Sequence, residues 1–160
     1  AGGNSSAVEH QLQNVKEART TGRAFAAILA SGSVVCWGHE EFGGSTNAGT
    51  VETQLCDVQK LCASDGAFSA ILGDGRVVVW GDEYFGGRCD EVAKQELRGL
   101  RASHIESTER AFAAICESGR LVTWGRRDLG GCSNAVKDQL QHVHQVIGSS
   151  GAFAALLADG

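Results

Sequence analysis

A small set of residues recurs at a nearly fixed interval along the whole chain, and no other feature limits the fold so tightly. Ala-Phe stands at Ala24-Phe25, Ala67-Phe68, Ala111-Phe112 and Ala152-Phe153, and Trp-Gly at Trp37-Gly38, Trp80-Gly81 and Trp124-Gly125. Gly-Gly stands at Gly2-Gly3, Gly43-Gly44, Gly86-Gly87 and Gly130-Gly131, at spacings of 41, 43 and 44 residues. A period of about 20 to 50 residues marks an array of similar units, and it overrides a reading made element by element. The chain divides into units 2–42, 43–85, 86–129 and a truncated 130–160, forming one repeat domain. Unit 2 gains two residues near Asn47 to Thr50; unit 3 gains one near Ala93 and two between Arg101 and His104. These places read as surface loops, where a repeating framework accepts insertions.

Within a unit, Ala24 to Leu29, Ser31-Gly32 and Val34 to Trp37 predict two strands joined by a tight turn. Asp74-Gly75 and Ser118-Gly119 hold the same place in the next units, and Gly supplies the positive φ of a two-residue hairpin turn. Phe25, Ala27 and Leu29 alternate with Ala26 and Ile28, so the strand is apolar on both faces and both must be covered. Small Ala beside large Phe in every copy predicts sheets that approach closely and interdigitate, each buried Phe or Trp contributing about 1.5–3 kcal/mol. A lone unit cannot bury these faces, so each sheet is sealed by its neighbours. Upstream, Val8, Leu12, Val15 and Val51, Leu55, Val58 and Val136, Leu140, Val143 follow the spacing of one helical stripe. Ser6-Ala7-Val8-Glu9 has the form of a capping box at the first of these segments. Unit 3 breaks the rhythm with Val92, Leu97 and Leu100, which predicts a distorted or partly extended segment. Residues 16–20 and 59–63 add a third strand, so the unit reads as a helical turn followed by three strands.

The phrases Ile28-Leu29-Ala30-Ser31-Gly32-Ser33-Val34-Val35-Cys36-Trp37-Gly38 and Ile71-Leu72-Gly73-Asp74-Gly75-Arg76-Val77-Val78-Val79-Trp80-Gly81 are each followed by Phe-Gly-Gly. They resemble the core of regulator-of-chromosome-condensation repeats, over about half of the chain. That resemblance implies a mainly β fold of propeller-type tandem repeats, usually with seven blades and about 300 residues. A chain of 160 residues then forms an open arc or partial propeller of about four units, each with a short helical segment. It begins at Ala1, contains no Met and ends on Asp159-Gly160 in the middle of a hairpin, so it reads as a fragment of a longer protein. The family usually has His near the positions of Phe25, Phe68, Phe112 and Phe153, and prolines between blades, which are absent here.

Six cysteines raise metal and disulfide chemistry, but Cys36, Cys56, Cys62, Cys89, Cys116 and Cys132 do not coincide in repeat register. Cys116 replaces Leu29, Leu72 and Leu157, and Cys36 replaces Val79 and Thr123, so both read as small core residues. No Cys-x-x-Cys pair supplies zinc spacing, and the thiols fit a reducing, intracellular compartment, cytoplasmic or nuclear. His142 and His144 would share one face of an extended segment over 141–146, as two ligands at most. The recurring tryptophans read as packing between blades. Asn4-Ser5-Ser6 matches a glycosylation acceptor, but no secretory signal accompanies it. No nucleophile elbow, phosphate-cradling loop or dinucleotide fingerprint is present, which predicts neither a catalytic activity nor a cofactor or metal.

Charge varies between units in one loop, from Trp-Gly to Gly-Gly: Glu40-Glu41, then Asp82-Glu83, then Arg126-Arg127-Asp128. A loop varied in sign on a regular scaffold suits partner recognition, which singles out His39, Glu40, Asp82, Glu83, Arg126 and Arg127 as contact residues. A net charge of −5 with scattered Lys and Arg gives no basic stripe for nucleic acid. No apolar run approaches the roughly 18 residues of a membrane span. With 42% hydrophobic and 21% charged residues, the chain reads as a soluble, non-catalytic protein-interaction module. The resemblance adds an alternative: a regulatory or substrate-recruiting segment of a larger ubiquitin ligase or of a guanine-nucleotide exchange factor. Exposed apolar terminal units predict a tendency to self-associate.

Overall fold

The computed structural model describes residues 3–46 and 51–159. Strands β1 (Val15–Thr20), β2 (Ala24–Leu29) and β3 (Val34–Gly38) form an antiparallel sheet in that order. The second sheet holds β4 (Val58–Ala63), β5 (Ala67–Leu72) and β6 (Val77–Gly81); the third holds β7 (Ala102–Ser107), β8 (Ala111–Cys116) and β9 (Leu121–Gly125). A two-stranded sheet of β10 (Val143–Gly148) and β11 (Phe153–Leu157) follows. The fold is mainly β.

Register repeats from sheet to sheet because the same residues repeat. Phe25 faces Trp37, Phe68 faces Trp80 and Phe112 faces Trp124 across the strands. Their rings stack with centroids 5.1, 5.3 and 5.6 Å apart. Each first strand carries an irregularity at the same place, between Val15 and Glu17, Val58 and Lys60, Ala102 and His104, and Val143 and Gln145.

Apolar clusters fill the junctions between successive sheets. Ala24, Ala26 and Ile28 meet Phe68, Leu72 and Trp80; Ala67 and Ile71 meet Phe112, Cys116 and Trp124; Ala113 and Ile115 meet Val143, Val146 and Phe153. The small-residue face of one sheet therefore receives the aromatic face of the next, the close interdigitation that alternating Ala and Phe predict. Backbone bonds fasten both ends of each junction. The amides of Val58, Ala102 and Val143 donate to Gly32, Gly75 and Gly119 carbonyls at 2.8 Å, while Gly22 donates to Asp65, Asp65 to Glu109 and Glu109 to Ser150. First strands touch in succession, β1 on β4, β4 on β7 and β7 on β10. Among the described residues no such cluster joins the first sheet to the fourth, so closure of a ring is not seen. The last sheet leaves Ile147 and Leu156 half exposed.

Three local expectations are corrected. The hairpin connection holds three residues, not two: Gly32 N donates to Leu29 O and Leu29 N to Ser33 O, with the same pattern at Gly75 and Gly119. These glycines close the connection in the left-handed region, at φ of 81°, 81° and 78°. The helical stripes of units 1, 2 and 4 are 3-10 turns, at Glu9–Gln11, Glu52–Gln54 and Asn134–Gln139. There is no room for more, because Asn14, Asp57 and His142 turn the chain left-handed just before each first strand. The capping box does not form, since Ser6 N donates to Asn4 Oδ1 instead.

Unit 3, expected to be distorted, carries the regular helix α1 (Glu91–Leu97), capped by Asp90 accepting from Ala93 N at 2.8 Å. Sixteen positions separate Gly86 from Ala102, against thirteen from Gly130 to Val143. The additional length therefore lies wholly before β7, not between Arg101 and His104, and Ala102 pairs with Cys116 as Val58 does with Leu72. Glu96 of α1 pairs with Arg120 at 3.3 Å and with Lys137 of the following unit. The extra residues of unit 2 near Asn47 to Thr50 lie outside the described residues.

Candidate interaction face

At one end of the strands, the loop from Trp-Gly to Gly-Gly makes a single 3-10 turn in each complete unit: Glu40–Phe42, Glu83–Phe85 and Arg127–Leu129. Its first glycine is left-handed, at φ of 87°, 90° and 99°, and lies over the Phe of the next sheet. A Cβ on Gly43, Gly86 or Gly130 would come within 2.6, 2.8 and 2.8 Å of the Phe68, Phe112 and Phe153 rings. Glycine is needed there for conformation and for space. The Trp80 indole donates to Gly43 O at 3.2 Å, so this tryptophan serves packing between sheets.

A hydroxyl fastens the loop from inside. Thr21, Ser64 and Thr108 donate to Phe42 O, Phe85 O and Leu129 O at 3.2, 2.7 and 2.9 Å, and accept from the amides of Ala24, Ala67 and Ala111. Ser149 accepts from Ala152 N in the same way. This device went unread in the sequence, although a hydroxyl residue three places before every Ala-Phe was its signal.

On this frame the loops present a run of rings and guanidinium groups. The His39 ring meets Phe42 edge-on at 5.2 Å, Phe42 lies 5.9 Å from Phe85, and Tyr84 meets Phe85 at 5.6 Å. Arg23 lies 4.9 Å over Phe42, Arg110 lies 4.8 Å over Tyr84 and 5.2 Å over Phe85, and Arg126 lies 4.4 Å over Tyr84. Arg110 Nη1 also donates to the Tyr84 hydroxyl at 2.9 Å. Tyr84 nonetheless keeps 52% of its surface exposed. Planar guanidinium on an aromatic face is held in place at little entropic cost when a ligand arrives.

All six contact residues expected from the sequence lie in these loops, but in different roles. His39 and Arg126 join the strip. The Asp82 carboxylate is engaged in its own loop, accepting from Tyr84 N at 2.8 Å. Glu40 is exposed, Glu83 pairs with Arg88 at 3.0 Å, and Arg127 donates weakly to Cys132 Sγ at 3.7 Å. Arg126 binds Asp128 through Nε and Nη2 at 2.6 and 3.0 Å, and that hydrogen-bonded cation holds the Asp128 carboxyl below the usual carboxylate range. Arg23, Arg110, Phe42, Tyr84 and Phe85 were not singled out, because the strip crosses unit boundaries and no one unit spells it.

Elsewhere, polar groups pair among themselves. In a cleft of about 480 Å³ between first strands, Glu17 pairs with Arg19 at 2.7 Å and His104 with Glu106 at 3.5 Å. His142 is left-handed at φ 56° and precedes β10, so it does not share a strand face with His144. Among the described residues no three His, Cys, Asp or Glu side chains group as metal ligands, and no helix is long and apolar enough to cross a membrane. Cys116 is buried in the second junction and Cys36 packs on the first, as core residues. Burial pushes the Cys36 and Cys89 thiols up to about 12, far from a reactive thiolate.

No protein-family model and no curated protein matches the sequence. Solved structures do match: Prp20p from Saccharomyces cerevisiae superposes with a TM-score of 0.63 at 16% identity, over 96% of this chain and 44% of that one. The four sheets reproduce part of an RCC1-like propeller. The CRINKLY WD40 ectodomain of the receptor kinase ACR4 from Arabidopsis thaliana matches with a TM-score of 0.60 at 15% identity, over 92% and 47% of the two chains. Human WBSCR16 matches with a TM-score of 0.52 at 16% identity, over 92% and 40%. The chain thus spans less than half the length of each of these three proteins, and at these identities the likeness concerns the fold.

Proposed function

We propose that the chain is a non-catalytic protein-interaction module that engages a protein partner through the loop face. The observation that carries this reading is the strip of Phe42, Tyr84 and Phe85 with three guanidinium groups laid on it. Tyr and Arg are the side chains that most often dominate binding energy at protein interfaces. Arg110 adds a cation that forms no ion pair among the described residues, although it lies close enough to Asp128 to favour that carboxylate. For Prp20p, binding to Gsp1p and histones has been described, which supports a protein as the class of partner. A photo-crosslinking amino acid placed at Tyr84 should capture a discrete partner in cells. The purified partner should then lose about tenfold or more in affinity on Tyr84→Ala or Arg110→Ala. A partner that binds both variants as well as the unaltered chain removes the loop face from recognition.

The partial span of RCC1-like propellers favours a second reading, in which this arc is the regulatory or recruiting segment of a larger ubiquitin ligase or exchange factor. Nucleotide release from a panel of small GTPases, with and without the chain, tests the exchange branch, and an unchanged rate across the panel eliminates it.

A further inference from the structure

We propose that the cleft beside α1 is a second binding site, which takes an acidic protein segment anchored by an apolar side chain. The cleft, of about 550 Å³, lies between the second hairpin turn, β6 and the stretch from α1 to Arg101. It opens at the hairpin end of the strands, away from the loop face, and shares no residue with the aromatic strip. Its floor is Val77, Val78, Leu97 and Leu100, of which all but Val78 are only partly buried although they pack on core clusters. Apolar surface is therefore left facing water where the neighbouring sheet already supplies a firm backing.

The rim is cationic, with Arg76, Lys94, Arg98 and Arg101 lining the cleft against a single carboxylate, Asp74. Arg76 occupies that carboxylate at 2.6 Å. Lys94 and Arg101 pair with Glu91 and Glu117, whose side chains are 76% and 58% exposed, and such pairs exchange readily for a better ligand. Arg98 is exposed and has no ion-pair partner among the described residues. A chain of net charge −5 has gathered four cations around one apolar floor, Arg76 from unit 2 and Lys94, Arg98 and Arg101 from unit 3, whose connector forms α1. Guanidinium groups bind carboxylates through paired hydrogen bonds, while an apolar anchor releases water from the floor. A nucleic-acid backbone would use the cations and leave the floor idle, so the acidic segment with an anchor is the better fit.

The probe is a short fluorescein-labelled peptide of Glu residues around a central Leu-Phe pair, titrated against the whole chain by anisotropy. Saturable binding is expected that weakens as salt rises and falls about tenfold with Arg98→Glu, a change at an exposed residue that leaves the melting curve in place. Lys94→Gln gives a second, milder loss should Arg98→Glu disturb the fold. Replacing Leu-Phe by Gly-Ser in the peptide should also weaken binding about tenfold. Equal binding of the Gly-Ser peptide, indifference to both rim substitutions, or an oligothymidylate binding as tightly as the peptide would each overturn the proposal. Tyr84→Ala, on the loop face, should leave this titration unchanged, so failure of one site does not count against the other.

Discussion

Each repeat contains two stretches under different physical rules. From the start of the first strand to Gly-Gly, the distance is 28 residues in all three complete units: Val15 to Gly43, Val58 to Gly86 and Ala102 to Gly130. From Gly-Gly to the next first strand it is 13, 15, 16 and 13. In the second and third sheets the constant stretch is covered on both faces and bonded to its neighbours at both ends, so an added residue would shift a register that two junctions depend on. The connector packs on the core through a few residues, such as Leu55, Ala93 and Leu97, and can change length and form. Uniqueness therefore collects in the connectors, α1 and its cationic cleft being the clearest instance, while the constant stretch supplies stability and a regular display of loops.

Truncating the constant stretch should have the largest effect. Phe112 is fully buried, stacks on Trp124 and lies under Gly86, with sheets on both sides. Phe112→Ala should cost about 3–5 kcal/mol, read from urea denaturation. The same change at Phe25, whose half-buried ring lies on the first sheet and meets no preceding one, should cost clearly less. Equal losses would mean that coverage by the neighbouring sheet is not what stabilises this stretch.

A connector should fail locally. Asp90 caps α1, and removing its carboxylate with Asp90→Ala should cost about 1 kcal/mol. Cys89 lies beside that cap, buried, with its thiol pushed up to about 12, whereas Cys116 sits inside the third sheet. Fraying of α1 should speed alkylation of native Cys89 several-fold and leave Cys116 unchanged, as site-resolved mass spectrometry would report. If both thiols accelerate together, connector and sheet unfold as one and the division between them is wrong.

Sequence reveals the constant stretch better than the connector, for a reason visible in particular residues. Phe25, Phe68, Phe112 and Phe153 recur because each must fill the same space, so their repetition reports packing, and the strands, junction order and propeller-type arrangement follow from it. Helical stripes at Val8, Leu12 and Val15 misled, because little apolar surface is covered there: Val8 and Leu12 are only partly buried and Val15 is exposed, so the segment needs no more than a 3-10 turn. The regular helix formed where the stripe was poorest, since Asp90 and three added positions outweighed periodicity. The loop face was legible as a place and not as a set of contacts: Arg126 and His39 were visible, whereas Arg110 meets Tyr84 only through juxtaposition of two units.

Charge on the loop face should matter least for folding, which separates display from framework. Asp128 is exposed and its partner two residues away, Arg126, is partly covered, and pairs at the surface add little to stability. Its direction with pH is nonetheless fixed. Asp128 is held below the ordinary carboxylate range by the hydrogen-bonded guanidinium, so the folded chain binds that proton less readily than the unfolded one. The contribution is present above the ordinary carboxylate range and disappears as pH falls through the lowered value. Melting temperatures of the unaltered chain and Asp128→Asn should therefore differ slightly at neutral pH and converge on acidification. A gap that widens in acid, or one at neutral pH as large as that of Asp90→Ala, would show this pair to be part of the framework, and the rigid stretch would then extend into the loop that displays Tyr84.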